Sequence, residues 1–148
     1  MGQWKIRPQL YENLLRHVVT SEESRSQWVH DHFPQLSPER EQLVNLLDLY
    51  IEEMEAFLRD AKQTEECSDE LPFVTMGSEV EVINLENKKR QVFTILPFYE
   101  ERVKNHHISI LSPMGKSLLL KTKGAVVTIN APRGDINWEI INIKYPDS

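Results

Sequence analysis

Ile108-Ser109-Ile110-Leu111-Ser112-Pro113-Met114-Gly115-Lys116-Ser117-Leu118-Leu119-Leu120 packs a strand, a stop and a helix start into thirteen residues. Residues 108–111 are apolar enough for a buried strand. Proline has no amide to give a sheet ladder, so Pro113 ends that strand. Ser112 suits a helix N-cap and Pro113 the first helical position. Leu118, Leu119 and Leu120 would form the apolar end of a short helix. A strand and a helix joined this tightly make a rigid corner, with Leu111, Ser112, Pro113 and Met114 at the surface.

On either side of the corner the pattern has period two. Val80, Val82 and Leu85 alternate with Glu79, Glu81 and Asn84, with Ile83 out of step. Glu86-Asn87-Lys88-Lys89 reads as a hairpin turn, and Val92, Phe93, Ile95 and Leu96 as the return strand, ended by Pro97. Residues 98–105 form a charged loop. Past the short helix, Val126, Val127 and Ile129 predict a strand, Ala131-Pro132-Arg133-Gly134-Asp135 a turn, and Ile136 to Ile143 the closing strand. Residues 71–148 thus read as a small antiparallel sheet with one short helix.

Before residue 71 the pattern is helical. Leu10, Leu14, Val18 and Trp28 keep roughly helical spacing behind Arg7-Pro8. Residues 20–26 are polar, so this first helix is expected to bend, fray or break there, and Trp28 is read as packing. Ser37-Pro38-Glu39 restarts a helix over about 38–63, with Ser37 as N-cap and acids in the first turn. Leu43, Leu46, Leu47, Tyr50, Met54, Phe57, Leu58 and Ala61 recur along it at three- and four-residue steps, the strongest helical signal in the chain. Two such helices joined by a short turn form an antiparallel hairpin, here a coiled coil. The organisation is therefore α+β: a helical hairpin over 1–70 and a sheet domain over 71–148.

Charge divides at the same place. Residues 1–70 hold 15 acidic and 7 basic side chains, residues 71–148 hold 8 and 10, and the whole chain carries −6. An acidic first half disfavours direct binding to a nucleic-acid backbone and suits a positively charged partner. No apolar run approaches the roughly 20 residues that span a bilayer, no signal pattern opens the chain, and the single cysteine, Cys67, cannot form an internal disulfide. A cytoplasmic protein with no membrane contact is expected. Five glycines supply no phosphate-cradling loop. His30/His32 and His106/His107 lack zinc-like spacing, so the histidines read as surface residues and neither metal nor cofactor is expected. Asp31 at the end of the first helix, with Glu39 and Glu41 at the start of the second, places three acids at the far end of the hairpin. There Glu39 and Glu41 stabilise a helix N-terminus while Asp31 is solvated, or the acids share a divalent cation with another site.

The blocks Phe73-Val74-Thr75-Met76-Gly77-Ser78-Glu79-Val80-Glu81-Val82 and Ile110-Leu111-Ser112-Pro113-Met114-Gly115-Lys116-Ser117-Leu118-Leu119, followed by Lys123-Gly124 and Ala131-Pro132-Arg133-Gly134, resemble the C-terminal domain of the Gre-type transcription elongation factors. The resemblance covers about residues 71–146 and implies an FKBP-like fold. It also implies a bacterial RNA polymerase as partner, docking through Leu111, Ser112, Pro113 and Met114, with the hairpin entering the secondary channel. Nucleic acid would be met only through the polymerase, and the chain itself would be no enzyme. In the family a Gly-Asp, two residues, then Glu-Asn at the hairpin tip supports transcript cleavage by the polymerase. That run is missing here, and the helices are shorter. A hairpin short by ten residues falls short by about 15 Å, so its acids cannot reach a metal. The expected function is therefore regulation of elongation at the secondary channel, with a short hairpin similar to that of the regulator of nucleoside diphosphate kinase. Cleavage stimulation is the alternative. An FKBP-like fold also admits a peptidyl-prolyl isomerase with Trp138, Phe93 and Phe98 lining a pocket. Direct regulation of a kinase is a fourth reading, and no feature of the sequence identifies its surface.

Overall fold

The computed structural model describes residues 4–67, 70–96 and 106–145. The chain divides into two compact units, residues 1–68 and 69–148.

In the first unit, β1 (Lys5–Ile6) leads into α1 (Pro8–His32), a turn, α2 (Pro38–Asp60) and β2 (Lys62–Gln63). Leu10, Leu14, Val18, Trp28 and Val29 of α1 are buried, as are Leu43, Leu47, Tyr50, Ile51, Met54 and Leu58 of α2. These are the two apolar stripes that the periodicity defines, and Trp28 is a packing residue. The expected break at 20–26 does not occur: α1 runs unbroken for 25 residues. Two residues of its polar middle find partners, and most of the others stay at the surface. Ser21 is fully buried and donates its hydroxyl to the His17 carbonyl at 2.8 Å, and Arg25 pairs with Asp48 of α2. Glu22, Glu23 and Gln27 are themselves good helix formers. The α2 helix is shorter than the stripe suggests. It ends at Asp60 because Lys62–Gln63 pairs in parallel with Lys5–Ile6, the Lys62 amide donating to Trp4 at 2.8 Å. That pairing ties the open end of the hairpin and buries Ile6 completely.

The second unit holds β3 (Glu79–Asn84), β4 (Arg90–Leu96), β5 (His107–Ser109), α3 (Pro113–Leu118), β6 (Val126–Ala131) and β7 (Gly134–Lys144), with sheet order β5-β4-β3-β7-β6. The α+β organisation is as expected, but the sheet is mixed and not purely antiparallel, because β5 pairs in parallel with β4. Parallel neighbours cannot be joined by a tight turn as antiparallel ones can. The charged loop expected at 98–105, with Phe98, lies outside the described residues. Strand β5 also stops at Ser109, two residues earlier than the apolar run suggests, since Ile110 and Leu111 already belong to the turn.

Between β3 and β7 the register slips once: Glu81 faces Asn142 and Val82 faces Ile140, leaving Ile141 as the extra residue of a β-bulge. The bulge turns Ile140 and Ile143, three residues apart, onto the same inner face as Val80 and Val82, and all four are at most 1% exposed. Asn84 also faces inward, contrary to the expected alternation. Its side chain accepts the Glu86 and Asn87 amides at 2.9 and 3.3 Å, which builds the predicted turn from the inside.

Candidate functional site

The corner between β5 and α3 is built from local hydrogen bonds. The Ser112 hydroxyl accepts the Gly115 amide at 3.0 Å and donates to the Ser109 carbonyl at 2.6 Å. The Ser112 amide reaches that same carbonyl at 3.1 Å. The Ser109 hydroxyl accepts the Leu111 amide at 3.0 Å. Ser112 thus occupies the N-cap and Pro113 the first turn, as the sequence predicts. Four bonds within seven residues leave the turn little freedom. Pro113 is exposed, and Leu111, Ser112 and Met114 are half-buried. The corner therefore offers an apolar face that is neither sunk in the core nor free to move.

Two residues that set this geometry escaped the sequence reading. Ser109 anchors the turn through both its carbonyl and its hydroxyl, and the Ser-x-x-Ser-Pro spacing was the available signal. Gly115 is buried, and a Cβ on it would lie 1.9 Å from the Ser109 carbonyl oxygen and 2.7 Å from the Ser109 carbonyl carbon. The close approach of α3 to β5 thus requires glycine at that position. On the inner side, Leu118 and Leu119 are at most 2% exposed and hold the corner to the core. The α3 helix ends at Leu118 rather than including Leu120, whose φ of 68° turns the chain away and whose amide bonds the Val74 carbonyl at 2.9 Å.

At the hairpin's far end, Asp31, Glu39 and Glu41 are all exposed. Asp31 accepts the Gln27 side-chain amide at 2.6 Å, and Glu39 and Glu41 lie in the first turn of α2, whose N-cap Ser37 accepts the Arg40 amide at 3.1 Å. No group of three or more histidine, cysteine or acidic side chains is arranged to hold a metal ion among the described residues. Of the histidines, His17 does not fit the surface reading. It is 4% exposed, and its Nε2 lies 2.7 Å from the hydroxyl of Tyr50, itself fully buried. Burial pushes its pKa down from 6.5 to about 4. Cys67 is half-buried, its thiol 3.3 Å from the Thr64 carbonyl. Phe93 and Trp138 are half-buried on the inner face of the sheet.

With this geometry in hand, residues 69–145 match the family described as transcription elongation factor, GreA/GreB, C-term, which is more than half of the chain and contains the whole corner. The chain belongs to the GreA/GreB family. Among curated relatives, a transcription elongation factor GreA of Thermodesulfovibrio yellowstonii is 37% identical over 64% of this chain and 60% of its own length. A GreA of Helicobacter hepaticus is 31% identical over 68% of this chain and 62% of its own length. The chain thus spans less than two thirds of these GreA/GreB relatives. A solved GreA/GreB structure from Nitrosomonas europaea aligns over 98% of this chain and all of its own, at 22% identity and a TM-score of 0.49. Among the described residues no helix is long and apolar enough to cross a membrane.

Proposed function

We propose that this GreA/GreB-family chain is a cytoplasmic regulator of transcription elongation that binds bacterial RNA polymerase at its secondary channel and is not itself an enzyme. Residues 71–148 act as the docking module, gripping the polymerase through Leu111, Ser112, Pro113 and Met114. Residues 1–70 supply the hairpin, with Asp31, Glu39 and Glu41 at its tip. Nucleic acid is met only through the polymerase.

The observation that carries the reading is family membership over the very residues that build the corner. The corner's form supports it: a preorganised, partly apolar turn loses little conformational entropy on binding. The test is titration of labelled full-length protein with purified bacterial RNA polymerase. Saturable binding is expected, weakened in Ser112→Ala and Pro113→Ala. Absence of binding by the unmodified protein overturns the function, whereas undiminished binding by both variants overturns only the corner. Stalled elongation complexes run in parallel report on cleavage, and shortened RNA that disappears with Asp31→Ala/Glu39→Ala would select the cleavage alternative.

A further inference from the structure

The five-stranded sheet ends on β6, which pairs with β7 on one side only. Along an antiparallel edge, residues whose backbone groups point at the neighbouring strand alternate with residues whose groups point away. The Ile140 amide bonds the Ala125 carbonyl at 2.9 Å, and this sets the alternation. Val127, Ile129 and Ala131 therefore turn their N–H and C=O groups toward β7. Val126, Thr128 and Asn130 turn theirs outward, and all three residues are exposed. Among the described residues no segment pairs with them; Phe73 meets the chain at Thr122, before β6 begins.

Such edges are normally blunted by a lysine, a proline, a bulge or a very short strand. None of these protects β6. It is six residues long, its register against β7 is unbroken, and Gly124 to Ala131 holds neither charge nor proline. Val126, Val127, Thr128 and Ile129 are all β-branched, and Val126 is 53% exposed. A neutral, β-branched run with open backbone bonds is a template for another strand.

The strand it fits best is its own. Turned about a two-fold axis through Thr128, a second copy sets Val126 against Asn130 in both directions and Thr128 against Thr128. Those are the residues with outward backbone groups, so reciprocal N–H to C=O bonds close at each pair. The same rotation sets Val127 against Ile129 on the inner face, where Ile129 is still half-buried. Apolar and Thr–Thr cross-strand pairs are both favourable. No charge lies within the paired run, although the chain carries −6. Beyond it Lys123 and Arg133 come nearest to a like-charge contact, and Glu70, 3.2 Å from the Lys123 ammonium, offsets it.

We propose that β6 is a self-association edge that joins the sheets of two copies of this chain into one continuous sheet. The proposal goes beyond the polymerase reading and does not depend on it. Six residues a side fall well short of the roughly 1,600 Å² of a stable complex, so the dimer is weak. Sedimentation velocity of the full chain from about 10 μM to about 1 mM is expected to show a rising dimer fraction. Over the same range, amide hydrogen exchange is expected to slow at Val126, Thr128 and Asn130 and to stay unchanged at Val127 and Ile129. Thr128→Pro removes an outward amide and no backbone bond to β7, and Val126→Lys charges an exposed side chain. Both are expected to melt close to the unmodified protein and to dimerise at least tenfold more weakly. A chain that stays monomeric at about 1 mM overturns the proposal, as does a dimer kept at full strength by either folded variant. Slowed exchange at the outward amides on adding RNA polymerase, but not on concentrating the chain, would assign the edge to a strand of the polymerase and also overturns it. Growth into large aggregates without a dimer does the same.

Discussion

Mild acid should loosen the helical hairpin through one buried side chain. His17 and Tyr50 meet between α1 and α2, 2.7 Å apart from Nε2 to the phenol oxygen, with ring centroids 5.7 Å apart in an edge-on arrangement. Burial lowers the folded-state pKa of His17 to about 4, against 6.5 for the free side chain. Between those values the unfolded chain binds a proton that the folded chain refuses. Stability therefore falls as pH drops through 6.5 and levels off below the folded pKa. The full difference of about 2.5 units is worth about 3 kcal/mol, of which about 2 kcal/mol is already lost at pH 5. That is a sizeable part of the few kcal/mol available to a small unit. The assay is urea unfolding followed by the helical circular dichroism signal at pH 7.5, 6.0 and 5.0. It is run on the natural chain and on His17→Leu, which removes the titrating group. A midpoint that falls with pH in the natural chain and stays nearly level from 7.5 to 5.0 in His17→Leu is expected. Identical slopes in the two proteins would refute the reasoning, because the pH dependence would then arise elsewhere.

Two further substitutions test the second unit. Gly115→Ala places a methyl group 1.9 Å from the Ser109 carbonyl oxygen, and about 1.5 Å of movement is needed to restore ordinary contact. It is expected to cost about 3 kcal/mol by thermal melting and to weaken polymerase binding together with the corner it distorts. Lys88 holds a φ of 63° in the β3–β4 turn. Lys88→Gly should raise the melting stability by about 0.5 kcal/mol, as relief of left-handed strain outweighs the entropy cost of glycine. A drop in stability would show that the lysine side chain matters more than its backbone angle.

How much was legible depended on how far apart the cooperating residues lie in sequence. The Ser112-Pro113 corner, the Ser37 cap and the turn at Glu86-Asn87-Lys88-Lys89 are settled by chemistry within three or four residues, and all were readable. The stripe on α2 was equally clear, since burial on one face imposes its own period. The continuity of α1 was not, because Arg25 in its polar middle pairs with Asp48 of α2, 23 residues away. The buried His17 depends on Tyr50, 33 residues away. A scan for apolar anchors sees a gap in both places. The bulge at Ile141 did leave a trace: an inward pair at 140 and 143 breaks the two-residue period and demands an extra residue between them.

By itself the amino-acid sequence determined the α+β order, the positions of the helix starts, the rigid corner and, through the blocks around it, the family. These follow from capping, from proline's missing amide and from periodic burial, which act over a few residues. Only the tertiary structure decided that β5 runs parallel to β4, that Lys5–Ile6 ties to Lys62–Gln63, that Gly115 must lack a side chain, and that Leu36 stands out in water. Each of those rests on which distant segment comes alongside, or on none doing so, and backbone pairing, steric exclusion and exposure leave no periodic mark on the chain that experiences them.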